Sequence, residues 1–424
     1  MAARRADTRG CARHRRGMPT SRPMLGRRVG FTATAFAFAL AMMGTTLPTP
    51  LYVLYRERFG FSELMITVIF ATYAVGVIAA LLLFGRLSDA IGRRPVLLAG
   101  LAVSAASAIV FLVADGLALL IVGRVISGLS AGLFTGTATA TLVDLAGPER
   151  RARATLVATL ANMGGLGCGP LLAGVLSEWA GSPLRLTFCV DLALLMPATL
   201  GIMAMPEPVA TRGSLQLRPQ RWRLPAEVRA TFAQAALAAF AGAAVLGLFA
   251  AVSPAFLGQT LGVTNRAAVG LVVFVVFAAS TVGQMSLQVV GERLALPGGC
   301  LVLIAGMGVL ALSLSLSSLK LLVLGGVVAC FGQGLSFRAG LAAVNARSPA
   351  ERRAEVASSF FAVMYVAIAL PVIGVGILAR IIGLRAAGLT FTAVVAALAP
   401  SCCSCCGARS NTRSASSAPE RLAA

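Results

Sequence analysis

The chain of 424 residues is 58% hydrophobic and 12% charged, with a mean hydropathy of +0.87; this excludes a soluble globular domain, and the length excludes a single membrane anchor. The net charge of +21 comes from arginines spread over short loops between apolar runs, not from one patch, which argues against nucleic acid as a partner. The single histidine, His14, leaves no histidine metal site, and no Walker-type loop or Ser/His/Asp constellation is present, so neither a metal, a cofactor, ATP hydrolysis nor enzyme activity is expected.

Residues 1–28 carry nine arginines and little apolar content. They read as a disordered basic tail rather than a cleavable signal peptide, because the apolar run that follows is too long and lacks a small-residue cleavage site. Met18 and Met24 are alternative starts. Runs of the length needed to cross a bilayer, about 20 apolar residues, then follow near 31–55, 62–84, 95–114, 117–142, 155–177, 186–205, 231–256, 267–290, 297–314, 320–342, 357–379 and 386–401. These predict an all-α membrane protein of twelve transmembrane helices. The last span is the shortest on apolar content, being closed by Pro400 and a polar tail.

With the N-terminus inside, the inside loops and tails hold 27 of the 36 basic residues and the outside loops seven, with Arg124 and Arg338 in or near spans. That bias predicts a multi-pass inner-membrane protein with both ends cytoplasmic. Residues 206–230 form the longest polar stretch between spans and read as a cytoplasmic linker between bundles at 29–205 and 231–401, with 402–424 as a second tail. Cys402, Cys403, Cys405 and Cys406 lack a convincing four-ligand spacing, and Cys168, Cys189, Cys300 and Cys330 read as small apolar filler in or beside spans.

Several residues stand out along this frame. Between spans two and three, Gly85 and Gly92 permit tight turns, and Arg86, Arg93 and Arg94 hold the loop inside. Asp89, the acid of this basic loop, can accept hydrogen bonds from a helix N-terminus or pair with an arginine. Arg124 lies about seven residues into span four, where a cation faces the bundle interior or snorkels outward. Gly128 and Gly132 follow it at four-residue spacing, which allows close helix packing. Asp144 ends span four. In span five, Gly165, Gly169, Pro170 and Gly174 combine a bend with one smooth face. Asp191 in span six is the clearest carboxylate within an apolar run; it can bind a proton or a cationic substrate, or else pair with Arg185. Span one carries no acid but offers Thr46, Thr49 and Tyr52 around Pro48 and Pro50 as candidates for lining a mostly apolar substrate cavity.

The chain also repeats itself. Gly85, Gly92 and Gly100 match Gly291, Gly298 and Gly306 at an offset of 206, as does Gly128-Leu129-Ser130 with Gly334-Leu335-Ser336; Pro170 and Pro371 match at 201. Such an offset predicts two pseudo-symmetric six-helix bundles related by an axis along the membrane normal. The second copy has Ala295, Gly299 and Cys300 in place of Asp89, Arg93 and Arg94, and Cys330 in place of Arg124.

Over roughly residues 30–400 the chain resembles the major facilitator superfamily, most clearly in Gly85–Arg94, Arg124–Gly132 and Gly165–Gly174. The resemblance implies a secondary transporter working by alternating access around a central site. It implies that Asp89 with Arg93 or Arg94 latches the halves on the cytoplasmic side, that Asp144 pairs with one of those arginines, and that Arg124 takes part in proton transfer. The span-five motif resembles that of exporters, with Ala173 replacing one expected glycine. The function expected is proton-coupled efflux of small hydrophobic or drug-like compounds, a multidrug antiporter acting as a monomer in the lipid bilayer, with Arg124 and Asp191 as proton-coupling candidates and the proton gradient as energy source. A metabolite importer or facilitator, and a transport-incompetent membrane sensor or scaffold, are the alternatives.

Overall fold

The computed structural model describes residues 26–85, 87–209, 225–349 and 352–399. Most of the expected linker and basic tail, with His14, Arg86 and the Cys402–Cys406 cluster, lie outside them. In lipid every backbone polar group needs an internal partner, so apolar runs of this length fold as helices.

The first half comprises α1 (Arg27–Thr46), α2 (Pro48–Phe59), α3 (Glu63–Phe84), α4 (Leu87–Ile91), α5 (Arg93–Leu112), α6 (Leu117–Ala146), α7 (Arg151–Trp179) and α8 (Pro183–Ala204). The second comprises α9 (Ala226–Ala251), α10 (Ser253–Leu261), α11 (Arg266–Met285), α12 (Leu287–Val290), α13 (Glu292–Leu316), α14 (Leu319–Arg347), α15 (Arg353–Ile382) and α16 (Leu384–Leu398). Among the described residues, eleven helical segments are long and apolar enough to cross a membrane. The twelfth, α16, has 15 residues, about 22 Å against a hydrocarbon core of about 30 Å. Connections alternate between a basic end, which holds Arg93, Arg94, Arg150, Arg151, Arg352 and Arg353, and the opposite end.

The repeat is visible as packing. A Cβ built on Gly76 of α3 would lie 2.1 Å from the Val125 carbonyl of α6, and one on Gly128 would lie 2.1 Å from the Tyr73 carbonyl of α3. The same crossing recurs where Gly283 of α11 meets Phe331 of α14 at 2.1 Å and Gly334 meets Ser280 at 2.0 Å. Glycine is required at all four positions because the backbones touch there. The halves meet along α7 with α11 and α3 with α15.

Span one departs from a single rod. It extends to Phe59 and breaks at Leu47, with Pro48 opening α2. Neither Pro48 nor Pro50 can donate to the carbonyl four residues back, so the turn around Gly44–Thr46 is loosened. Pro254 repeats the break at the same offset of 206, dividing α9 from α10. The connection after α3 is not all loop, since α4 occupies it. Gly92 turns there with φ +104°, a left-handed region that side chains avoid. Gly85 does not need glycine's freedom: its φ is −58° in the right-handed helical region, open to any residue. Gly298, the sequence partner of Gly92, lies inside α13, and the second half turns instead at Gly291 with φ +81°.

Candidate functional site

At the basic end Arg93 is the hub. Its Nη1 donates to Asp89 Oδ1 at 2.6 Å and to Ser88 Oγ at 2.7 Å, and its Nε donates to Asp144 Oδ2 at 3.1 Å. The side chain is 13% exposed against 63% for Asp89 and 36% for Asp144. One guanidinium thus ties α4 and α5 to the end of α6, and Arg27 adds a bond to the Asp144 carbonyl at 2.9 Å. The partner of Asp144 is therefore Arg93, while Arg94 contributes its backbone. The N–H groups of Arg93 and Arg94 open α5 and donate to Glu207 at 2.8 and 2.9 Å. Helix N-termini leave such donors orphaned, and a carboxylate there also meets the positive end of the helix dipole. A Cβ on Gly92 would come within 2.9 Å of the same carboxylate. Sequence reasoning placed Glu207 in the linker; an acid just past the end of span six was its only signal. These latch contacts all lie within the first half.

Arg124 faces the interior at 1% exposure, which excludes snorkelling. Its Nη1 donates to the Thr45 carbonyl of α1, and its Nη2 to the Phe70 carbonyl of α3 at 3.3 Å. The guanidinium carbon lies 4.7 Å from the ring centroid of Tyr73 and 5.4 Å from that of Phe70. Burying an arginine at mid-membrane costs about 2.5–3.5 kcal/mol on insertion scales. Hydrogen bonds from a charged group, about 1.5–3 kcal/mol each, and desolvated cation–π contacts, about 2 kcal/mol, are of the size needed to hold it. Its Nε keeps no hydrogen-bond partner among the described residues. The close α3–α6 crossing at Gly128 and at Gly132, whose Cβ would meet Ala80 at 2.5 Å, brings Tyr73 under the guanidinium.

Asp191 is 2% exposed, and its Oδ1 has no hydrogen-bond partner among the described residues. Arg185 is exposed and does not appear in an ion pair with it. The carboxylate lies against the loosened turn of span one: a Cβ on Gly44 would be 3.1 and 3.3 Å from its oxygens and 3.5 Å from Ser104 Oγ of α5. Arg124 and Asp191 are thus not paired with each other among the described residues: Arg124 bonds the Thr45 carbonyl, and Asp191 lies against the preceding residue of α1, Gly44. Gly44 and Ser104 carried no sequence signal of their own. Of the span-one hydroxyls, Thr46 donates to Leu166 of α7 at 2.9 Å. Thr49 and Tyr52 are buried, and their hydroxyl oxygens have no hydrogen-bond partner among the described residues.

The span-five motif has two faces. Gly165 and Gly169 meet α1, where added Cβ atoms would lie 2.3 Å from the Ala39 carbonyl and 2.2 Å from Thr46 Oγ1. Gly174 and Pro170 meet α11 of the other half: a Cβ on Gly174 would be 2.5 Å from the Arg266 carbonyl, and one on Gly270 would be 2.3 Å from the Pro170 carbonyl. At the end opposite the basic one, Glu178 accepts from the Arg266 N–H at 2.8 Å, and Arg266 Nη1 donates to the Ser177 carbonyl at 3.3 Å. Glu63 accepts there from Arg56 of its own half and from Gln259 of the other. Sequence reasoning singled out none of these cross-half bonds, because each depends on which loops end up side by side.

Comparison with known proteins agrees with this architecture. The family description Major Facilitator Superfamily matches residues 34–370. Multidrug resistance protein MdtL of Klebsiella pneumoniae (strain 342) is 28% identical over 319 residues, 73% of this chain and 78% of the relative. The inner membrane transport protein YajR of Escherichia coli (strain K12) is 31% identical over 130 residues, 30% of this chain and 28% of that one. A bacterial homologue of the human lysosomal transporter Spinster, inward-facing and unoccupied, superposes with a TM-score of 0.70 at 16% identity, covering 89% of this chain and 96% of the other. The human organic anion transporter MFSD10 (TETRAN) gives 0.63 at 17% identity, over 89% and 99%. At such identities the structures speak for the fold alone. With the family's pattern running through both bundles, this chain belongs to the major facilitator superfamily and is a multi-pass membrane transporter of small molecules, not an enzyme.

Proposed function

We propose that the protein exports small hydrophobic or drug-like compounds across the inner membrane in exchange for protons, with the basic end and both termini in the cytoplasm. Asp191 is the observation that carries the coupling: an acid deep in the first bundle, buried, with a carboxylate oxygen lacking a hydrogen-bond partner among the described residues. Such a group is costly as an ion in a membrane interior and suits reversible protonation. Its place against Gly44 sets it at the break in span one, where a change of charge can act on a turn already loosened by proline. The multidrug relative and the small-residue face of α7 support the direction. Thr46, Thr49 and Tyr52, beside that break, are proposed to meet substrate when the bundles rearrange.

The described conformation fits the inward-facing half of the cycle. The halves are bonded at the outer end through Glu63–Gln259 and Glu178–Arg266, while Asp89 is exposed and held by Arg93 of its own half. In the outward-facing state the same Asp89 would turn to the second half, as the family resemblance implies. Inverted vesicles loaded by a panel of lipophilic dyes and drugs test this reading. Dye uptake into inverted vesicles that rises with an imposed proton gradient and collapses with an uncoupler is expected. Gradient-insensitive movement, or movement only in right-side-out vesicles, would overturn it.

A further inference from the structure

The second half keeps one cation inside a span. Arg338 of α14 lies nine residues before that helix ends at Arg347, about 14 Å in from the basic end. It is half-buried and takes part in no hydrogen bond, ion pair or ring contact among the described residues. The acids described in this half, Glu227, Glu292 and Glu355, sit in the first turns of α9, α13 and α15. A cation within a span faces the bundle interior or a wet cavity, and one without an internal counter-ion there marks a route for a ligand.

The repeat locates its neighbour. A Cβ on Gly128 would lie 2.9 Å from the Val77 nitrogen, and one on Gly334 would lie 3.0 Å from the Gln284 nitrogen. Val77 of the α3–α6 crossing therefore matches Gln284 of the α11–α14 crossing. Gly132, four residues after Gly128, matches Arg338, four residues after Gly334. In the first half this contact is closed: a Cβ on Gly132 would be 2.9 Å from the Val77 carbonyl and 2.5 Å from Ala80 Cβ. In the second half a long cationic side chain takes the glycine's place beside Gln284. Gln284 is 7% exposed, and its Nε2 has no hydrogen-bond partner among the described residues; a buried donor of this kind is costly to leave unpaired. Because α13 covers the face of α14 bearing Gly325, Gly332 and Ser336, Arg338 lies on the far side of that helix at about 3.6 residues per turn. Gln284 continues, two turns beyond Phe277, the stripe of α11 that meets α7. A Cβ on Gly167 of α7 would lie 3.1 Å from Phe277, whereas one on Gly164, nearer the basic end, would meet nothing within 4 Å. Two donors without a protein acceptor thus come together where the seam between the halves opens.

We infer that Arg338 and Gln284 form an anion-binding subsite that selects lipophilic organic anions, such as aromatic carboxylates, as substrates. This rests on the proposed export function and names its substrate class. The planar guanidinium offers paired donors to a carboxylate, and the amide of Gln284 offers a third. An apolar wall for the body of the substrate is close by. Phe337, next to Arg338 in the chain, meets Phe361 of α15 with centroids 6.1 Å apart. Phe361 and Met364 are partly buried and pack against the cores of both halves.

The test uses the full-length protein, purified in detergent for binding and in inverted vesicles with an imposed proton gradient for transport. Two probes share a xanthene core: fluorescein, which carries a carboxylate, and rhodamine 123, a cationic ester. Fluorescence anisotropy gives the Kd of each. The parent is expected to bind fluorescein. Arg338→Gln should raise that Kd about ten- to hundredfold, the size of a lost charge-assisted bond, with binding of rhodamine 123 little changed. Arg338→Lys keeps the charge without the paired donors and should fall between parent and Arg338→Gln. Gln284→Leu should raise the fluorescein Kd about fivefold. An unchanged Kd in Arg338→Gln overturns the inference and marks an arginine that reaches the cytoplasmic surface. Equal weakening of both probes overturns it too, marking a structural residue, as does absence of fluorescein binding by the parent. If the gradient drives accumulation of the dyes but Arg338→Gln alters neither, the export reading stands and the subsite fails. If fluorescein binding depends on Arg338 while no gradient drives dye movement, the subsite stands and the export reading fails.

Discussion

Gly270 of α11 packs directly on the backbone of α7, and a Cβ there would lie 2.3 Å from the Pro170 carbonyl and 3.0 Å from Leu171 Cα. Ordinary carbon–oxygen contact begins near 3.4 Å, so Gly270→Ala forces α7 and α11 about 1 Å apart unless one helix bends. Overpacking of this kind costs about 1–3 kcal/mol. The strain falls on a seam between halves, so it is relieved in the conformation where the two helices part. At 1.4 kcal/mol per factor of ten, the closed outer end loses about 5- to 150-fold in relative population, enough to invert a two-state gap of a few kcal/mol. The assay is outside labelling of Thr67→Cys by a membrane-impermeant thiol reagent, with the native cysteines replaced. Thr67 is buried against Gly376 of α15 at that end. Labelling is expected to quicken in Gly270→Ala while transport falls. Gly169→Ala is the control, since its clash at 2.2 Å from Thr46 Oγ1 lies inside the first bundle and is expected to lower abundance and thermal stability without quickening the labelling. Unchanged labelling and transport in Gly270→Ala, at equal membrane abundance, would refute the idea that this seam opens during the cycle.

Four further outcomes are expected. Asp191→Asn abolishes accumulation of dye against its gradient and leaves downhill exchange, because the amide cannot take up a proton but fills the same space; accumulation measured in vesicles checks this. Arg93→Gln removes the bonds to Asp144, Asp89 and Ser88 and should lower stability by about 1–3 kcal/mol, charge-assisted bonds being the stronger kind, with transport lost at near-normal insertion. Arg293→Gln, in the faded copy, changes transport little at equal membrane abundance. A C-terminal reporter fusion is expected to be active only as a cytoplasmic enzyme, and activity solely in the periplasm would contradict the arginine-based orientation.

Hydrophobic length, the arginine bias and the 206-residue offset are properties of local composition and order along the chain. They determined the spans, the two bundles and some of the glycine positions at which helices touch, such as Gly128 and Gly169 but not Gly76 or Gly270, because a bilayer imposes helix formation on any apolar run of sufficient length. The break in span one was not read from the sequence, although Pro48, Pro50 and, 206 residues on, Pro254 carry its signal. The depth of Arg124 and Asp191 could be read by counting residues from a span's end.

What surrounds those charges was decided by tertiary structure. Arg124 and Asp191 could have faced each other; the helix packing turned them to neighbouring residues of α1 instead. Arg93 and Arg94 are equal as sequence, but the end of α6 presents Asp144 to one guanidinium only. Glu207 caps α5 from 113 residues away, and Gln259 reaches Glu63 from 196. Tyr365 meets Tyr73 across the boundary between bundles. Such partners share no periodicity and no spacing. They are chosen by the angle at which helices cross and by which backbone leaves room for which side chain, and those are consequences of three-dimensional packing.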